Sequence, residues 1–427
     1  MAKSIFDTDE FKPYASEWRE RQYVFARRLS YFDGSVYADV RKNLSWLGAR
    51  VGGQIRGIYQ PLFRAVYLDA GIVPAGWALA ESSAPLQSAV DTVLRWSDWG
   101  KDGSLFVRFG AQYGVSGLKV IDLREKGIVM IKPVDPRTFM LARRGLYDAT
   151  PRLAVIVESR SGERGERFEY AEVIENERIR TFKDGELFAF DDRKAEYVNA
   201  LGFVPFVECQ HLTDGGALGE CTFERAIPLL DEVNAMATDL ALTVHDIREP
   251  QWYVTGVEDG DVKRGDNIWY LPDANSKAGA LAVPVDVKGI LDFVREMRDG
   301  VHAALPELAF DELRSKNQVA TATVELQLME LFIKINLVRP QYDHAFAHAL
   351  RLAGRVAVTM PTVVGVEPYI KSIGALDSDR LAFDAKREVI PLDPETRARI
   401  DLVRAQTEQA RRDTVPAPAR SVPPSGA

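Results

Sequence analysis

The run ERAIPLLDEVNAMATDLALTVHDIREPQWYVTG, residues 224–256, limits what this chain can fold into more than any other stretch. Ile227, Leu230, Val233, Ala237, Leu240, Val244 and Ile247 recur at steps of three and four, a narrow apolar stripe of the coiled-coil kind. The spacing predicts one helix from about Phe223 to Ile247, with Pro228 tolerated in its first turn. Arg248-Glu249-Pro250 stops it, and Trp252-Tyr253-Val254-Thr255 reads as a short strand. The helix carries no plausible nucleophile, so its length asks for a packing partner and not for a substrate.

Elsewhere on the same helix Glu232, Asp239 and Asp246 stand seven apart and form an acidic line along one side. Two readings stay open. The line is a solvated face, or, in a ring of parallel copies, it becomes stacked rings of negative charge past which DNA slides without being held.

The totals suit a globular chain of two or three domains, or one elongated multi-part subunit: 427 residues, 46% hydrophobic and 27% charged. No apolar run reaches membrane-spanning length, and MAKSIFDTDEFKPYASEW lacks the apolar centre of a signal peptide, so no membrane partner is expected. A net charge of −8 does not suit a broad grip on nucleic-acid phosphates. Residues 1–64 are locally basic, but their arginines are scattered, as on a solvated helical surface. Cys209 and Cys221 are expected to be reduced.

Along the chain, residues 14–31 read as a helix closed by Tyr31-Phe32-Asp33-Gly34, and 37–65 as helical or irregular around Gly48, Gly52, Gly53 and Gly57. Residues 85–115 read as two helices with the break at Gly100 and Asp102-Gly103. From 117 to 211 the period changes to two, in LKVIDLR, IVMIKPV, LAVIVESR, RFEYAEVI, RIRTF and ELFAF, with hairpin signals at Ser161-Gly162 and Asp184-Gly185. No helices alternate with these strands, so the fold class is α+β with antiparallel strands. A strand-and-turn module is expected over 250–284, a helix over 286–305, a polar loop, and a long helix over 321–353 interrupted by Pro340. Residues 361–400 read as mixed, and VPAPARSVPPSGA as disordered.

Chemistry is sparse. DGGALGE, 214–220, lacks the spacing of a dinucleotide loop, and GVSG, 114–117, misses the nucleophile-elbow pattern by a residue. His344 and His348 lie four apart, which is metal-ligand spacing, but no third ligand or neighbouring base accompanies them. No catalytic residue, cofactor site or metal site is assigned, and the sequence predicts no enzyme.

GECTFERAIPLLDEVNAMATDLALTVHDIREPQWYVTG resembles the stem region of tailed-bacteriophage portal proteins, the head-to-tail connectors of long-tailed phages. In that family a helix containing Pro-Leu-x-Asp runs into a Pro and a short strand. The order that follows is also similar, down to the mid-helix Arg339-Pro340; upstream, Tyr31-Phe32-Asp33-Gly34 and Asp135-Pro136-Arg137 resemble family features. The loop before the long helix departs from the family's Ser-Gly, reading Arg314-Ser315-Lys316-Asn317-Gln318.

The resemblance implies a portal-like elongated subunit assembled into a ring. Residues 1–215 would form a wing of helices and antiparallel strands, 216–249 a first stem helix, 250–284 a small α/β clip and 285–305 a second stem helix. Residues 306–320 would be a channel loop, 321–353 a long kinked helix, 354–400 a wing or crown region and 401–427 a partly disordered tail. It further implies a homo-oligomeric ring, twelve-fold in the virion, at one capsid vertex, assembled in the host cytoplasm. The terminase, a head-completion adaptor, major capsid and scaffolding proteins, and double-stranded DNA passing non-specifically would be its partners. Glu232, Asp239, Asp246, Arg314, Lys316 and Asn317 would line the channel, and Trp252, Tyr253, Trp269 and Tyr270 would form a clip interface. The loop reading has a plain rival, that its basic residues simply face solvent. Another phage ring or baseplate component, or an enzyme with an unrecognised site, are the alternative classes.

Overall fold

The structure, a computed structural model, describes residues 4–37, 61–71, 84–143, 150–162, 165–190, 194–213, 215–216, 218–248, 251–255, 263–264, 269–270, 277–281, 287–308 and 321–359. The glycines at 48, 52, 53 and 57, the loop carrying Arg314, Lys316 and Asn317, and the regions 361–400 and 401–427 lie outside the described residues.

Helix α1 (Ala15–Asp33) ends at Gly34, whose φ of 75° provides the left-handed stop that a side chain would strain. Helix α2 covers 61–71, of which the sequence suggested only the start. Helices α3 (Ala84–Trp96) and α4 (Trp99–Tyr113) follow, and their break corrects the expectation of Gly100 and Gly103. The chain turns instead at Asp98, which adopts a left-handed φ of 59°, while Ser97 Oγ donates to the Val93 carbonyl and accepts from the Ile131 N–H. Both glycines lie inside α4.

The strand block is two antiparallel sheets. One has the order β2–β1–β9, from β1 (Val115–Leu123), β2 (Ile128–Val134) and β9 (Phe206–Gln210). The other runs β3–β4–β5–β6, from β3 (Phe139–Arg143), β4 (Pro151–Ser161), β5 (Arg167–Glu175) and β6 (Arg178–Lys183). Two short strands, β7 (Glu186–Leu187) and β8 (Glu196–Val198), both pair with β6. The β6–β7 hairpin turns at Asp184-Gly185 with φ of 50° and 78°, the doubly positive pair a two-residue primed turn requires. Strands β3, β8 and β9 were not picked out by their period.

The sheets are the middle of a layered body. Phe139, Leu141, Ala154, Ile156, Ile174 and Phe206 fill the space between them. The far face of the larger sheet is covered by residues 5–15, with Ile5, Phe6 and Phe11 against Met140, Val155, Val173 and Phe182. Arg180 ties that cover down through two 2.7 Å bonds to Glu10. The smaller sheet packs on α3, α4 and the second half of the longest helix, around Leu118, Ile131, Phe106 and Tyr342.

Three further helices follow among the described residues: α5 (Ile227–Arg248), α6 (Val287–Ala303) and α7 (Thr321–Thr359). Between α5 and α6 lie two antiparallel ribbons, β10 (Gln251–Thr255) with β13 (Lys277–Leu281), and β11 (Lys263–Arg264) with β12 (Trp269–Tyr270). The regular structure described in this module is all strand, where an α/β unit was expected. Helix α7 runs unbroken through Pro340 and ends six residues beyond the expected 353. Proline there removes only the one N–H that would meet the Asn336 carbonyl, a loss that packing on the body outweighs.

Candidate functional site: a helix pair and the joint at its root

Helices α5 and α6 pack on each other, and their root is buried against the body. Ile227, Leu230 and Val233 of the α5 stripe meet Val301, Leu305 and Leu308 at the end of α6, together with Leu62, Ala65 and Val66 of α2. Two phenols close the root: Tyr31 donates to one Asp231 oxygen at 2.8 Å and Tyr37 to the other at 2.5 Å. Burial and the Asp231 carboxylate push the Tyr31 phenol up to about 12. The aromatic-Asp-Gly turn and the Pro-Leu-x-Asp helix, separate signals in the sequence, are therefore in contact.

Away from the root, cover runs out. On α6, Ile290, Val294 and Met297 are half-buried, and Leu291 and Phe293 are exposed. On α5, Glu232 and Asp239 are exposed, on the side away from the Ile227–Val233 stripe; the side chain of Asp246 lies outside the described residues. Trp252, Tyr253, Trp269 and Tyr270 sit in the ribbons by their backbone, and their side chains are likewise outside. Helix α7 adds an open apolar stripe of its own, Met329, Phe332, Ile333 and Leu337.

Beneath the root lies a polar joint that sequence reasoning missed. Asp69 of α2, His211 after β9, Thr222 before α5, Glu307 after α6, and Lys334 and Tyr342 of α7 converge in the dry interior. Thr222 Oγ1 donates to Asp69 Oδ2 at 2.5 Å, which spends its only proton. It must then accept from His211 Nε2 at 2.9 Å, leaving Nδ1 to accept from the Tyr342 hydroxyl at 2.9 Å. Burial holds the His211 imidazole below its ordinary value and so neutral, in keeping with this tautomer. Lys334 Nζ stands between the two carboxylates, 3.5 Å from Asp69 and in direct contact with Glu307.

The electrostatics of the joint follow from counting charges. Burial alone would raise the Asp69 carboxyl, but the Lys334 charge and the His211 and Thr222 hydrogen bonds hold it below the carboxylate range. Glu307 gets the poorer share. Burial and the Asp69 charge push it up to about 7, and its Oε2 has no hydrogen-bond partner. No local signal could have revealed this group, because its members are single polar residues spread from 69 to 342.

The same region explains the glycine-rich loop. Gly219, at φ 64°, lies so close to Gly114 that a Cβ on it would come within 2.9 Å of the Gly114 carbonyl oxygen. Arg28 stitches the two turns together, donating to the Tyr113 and Gly219 carbonyls and to Glu224. DGGALGE thus serves close backbone packing.

Other sites offer less chemistry. His344 is exposed, and His348 is lowered to about 4 by burial and by Arg351 beside it. Among the described residues no group of three His, Cys, Asp or Glu side chains is placed to hold a metal ion. Cys209 and Cys221 are free, buried thiols, raised by burial. A groove of about 690 Å³ borders β1, β5 and β8, but its Lys119 and Glu172 are spent on each other at 2.6 Å.

Residues 110–304 match the family model "Phage portal protein, SPP1 Gp6-like". The match runs from the last turn of α4 through both sheets, α5, the ribbons and α6. These residues, a little under half of the chain, are similar to that portal family. No curated protein matches the sequence. Among solved structures, a chain of the virion of a native gene transfer agent (GTA) particle is 12% identical, with 82% of this chain and 86% of that one covered and a TM-score of 0.37. A chain from the neck of the native GTA particle computed with C12 symmetry is 14% identical, with 71% and 79% covered and a TM-score of 0.37. Likenesses this loose carry no argument about function.

Proposed function

We propose that the chain is the subunit of a ring-shaped portal at one vertex of a phage-type capsid, through which double-stranded DNA is packaged and ejected. The observation that carries the reading is that the helix–ribbon–helix unit lies inside the portal-family match and that its α6 loses apolar cover toward the ribbons. Helices with half-open apolar faces need neighbours, and copies of the same chain around an axis supply them. In this reading α5 and α6 are the stem, the ribbons are the clip, and the sheets with α1–α4 and α7 are the wing.

Glu232, Asp239 and Asp246 then face the channel, where fixed negative charge keeps passing DNA from sticking. Arg314, Lys316 and Asn317 belong to a loop near the DNA, touching phosphates without reading sequence. Trp252, Tyr253, Trp269 and Tyr270 give the clip its contacts with a neighbouring subunit, the terminase and later a head-completion adaptor. Major capsid and scaffolding proteins meet the wing, and the ring is a virion component, twelve-fold when assembled in the host cytoplasm. Negative-stain imaging of the purified protein is expected to show rings with a central hole. A monomer at high concentration and in the particle would sink the reading.

A further inference from the structure

The buried joint binds five segments of the chain through one unequal set of charges. Asp69, Glu307 and Lys334 carry two acids and one base, and the other partners they meet among the described residues are neutral donors or acceptors: Thr222, His211 and Tyr342. Cys209 lies close enough to Tyr342 to act on it, and its thiol is held neutral by burial. The cluster is balanced only when one acid keeps its proton.

We propose that this joint is a proton-dependent latch: a single proton on Glu307 holds α2, the root of α5 and α6, and α7 together, and its loss loosens them. The choice of Glu307 over Asp69 follows from the contacts. Asp69 accepts from Thr222 at 2.5 Å and lies 3.5 Å from both His211 Nε2 and Lys334. Glu307 has Lys334 on one oxygen and nothing on the other, in a fully buried position. A protonated Glu307 still accepts from Lys334 and removes the second negative charge. An ionised Glu307 leaves two carboxylates competing for one ammonium in a medium that screens poorly.

The direction of the pH effect is fixed by the shift. Glu307 is held above its ordinary 4.5, at about 7, so the folded form binds the proton more tightly than the unfolded form does. The stability it contributes is complete below about 4.5 and is lost as pH rises to about 7, falling tenfold in the folded-to-open ratio per pH unit. Asp69, which is depressed, works the other way and matters only as pH falls below its ordinary 3.8. Lys334, which is raised, gives up its share only above 10.5. Between pH 6.5 and 8 the slope belongs to Glu307; below 6.5 His211, held by burial below its ordinary value, adds a slope of the opposite sign, because the open form takes up its proton first.

Hydrogen–deuterium exchange on the whole protein, corrected for intrinsic exchange rates, tests this between pH 5 and 8. Wild-type peptides covering 62–71 and 328–342 are expected to lose protection toward pH 7 and then level off. Glu307→Gln, which keeps the shape and cannot ionise, is expected to lose the fall toward pH 7, as is Glu307→Met, leaving only the opposite slope of His211 below 6.5. Asp69→Asn removes the competing acid and is expected to move the wild-type transition to lower pH. A joint that is only structural would weaken in these variants without changing its pH profile. Parallel profiles in wild type and both Glu307 variants, or an unmoved transition in Asp69→Asn, overturn the proposal. The readout concerns one subunit's interior, so its failure leaves the ring reading standing, and absence of rings leaves the latch standing.

Discussion

The root and the outer reach of the helix pair are built from the same stripe and behave as opposites. At the root, Ile227, Leu230, Val233, Val301 and Leu305 are fully covered, and Tyr31 and Tyr37 each donate to Asp231 beside them. Farther out on α6, Ile290, Val294 and Met297 are half covered, and Leu291 and Phe293 are open. The root is finished within one chain; the outer face of α6 is left open among the described residues. In the ring proposed above, a single periodic signal would encode two kinds of stability, one folding and one assembling.

The largest test of that contrast is at the root. Arg28→Ala would strand the buried Tyr113 and Gly219 carbonyls and take from Glu224 the nearer of its two arginines, and is expected to cost about 1–3 kcal/mol for each carbonyl in chemical unfolding. Survival of full stability would mean that the root is not the rigid end. Next comes Tyr31→Phe with Tyr37→Phe, which leaves the exposed Asp231 to water. About 0.5–1.5 kcal/mol is expected for each bond, read from the same unfolding curves. The smallest effect on the subunit belongs to the reach. Leu291→Ser with Phe293→Ser should change subunit stability by no more than about 0.5 kcal/mol, as surface changes do, yet lower the fraction of assembled species in mass photometry. If assembly holds and the subunit itself melts earlier, the contrast is reversed.

Much of this was legible in the residues. The stripe from Ile227 to Val233 is buried as its period required, and Asp184-Gly185 makes the turn its chemistry names. The two-residue period located β1, β2, β4, β5 and β6 because each is a run of six or more residues that alternate or are rich in β-branched side chains. It missed β3, β8 and β9, strands of three to five residues, too short to show a period. Gly100 and Gly103 misled for the opposite reason. Glycine can mark a break or permit a close approach, as Gly110 does where Tyr342 packs against it, and only the tertiary neighbour tells which. The joint was illegible in principle: Asp69, His211, Thr222, Glu307, Lys334 and Tyr342 mean nothing until the fold brings them together.

Tyr342 also sets a timetable. Its hydroxyl sits near the Val107 carbonyl, 235 positions away in sequence, and its ring packs against Phe106. The side of the β2–β1–β9 sheet that faces α7 therefore waits, greasy and unfinished, until the ribosome has delivered residues beyond 340. Contacts of such separation close slowly, and a chain that exposes Leu118, Val120 and Ile131 meanwhile can associate with its copies too early. In the ring proposed above, a subunit would have to finish its own core before meeting its copies, and α7 is the helix that closes it.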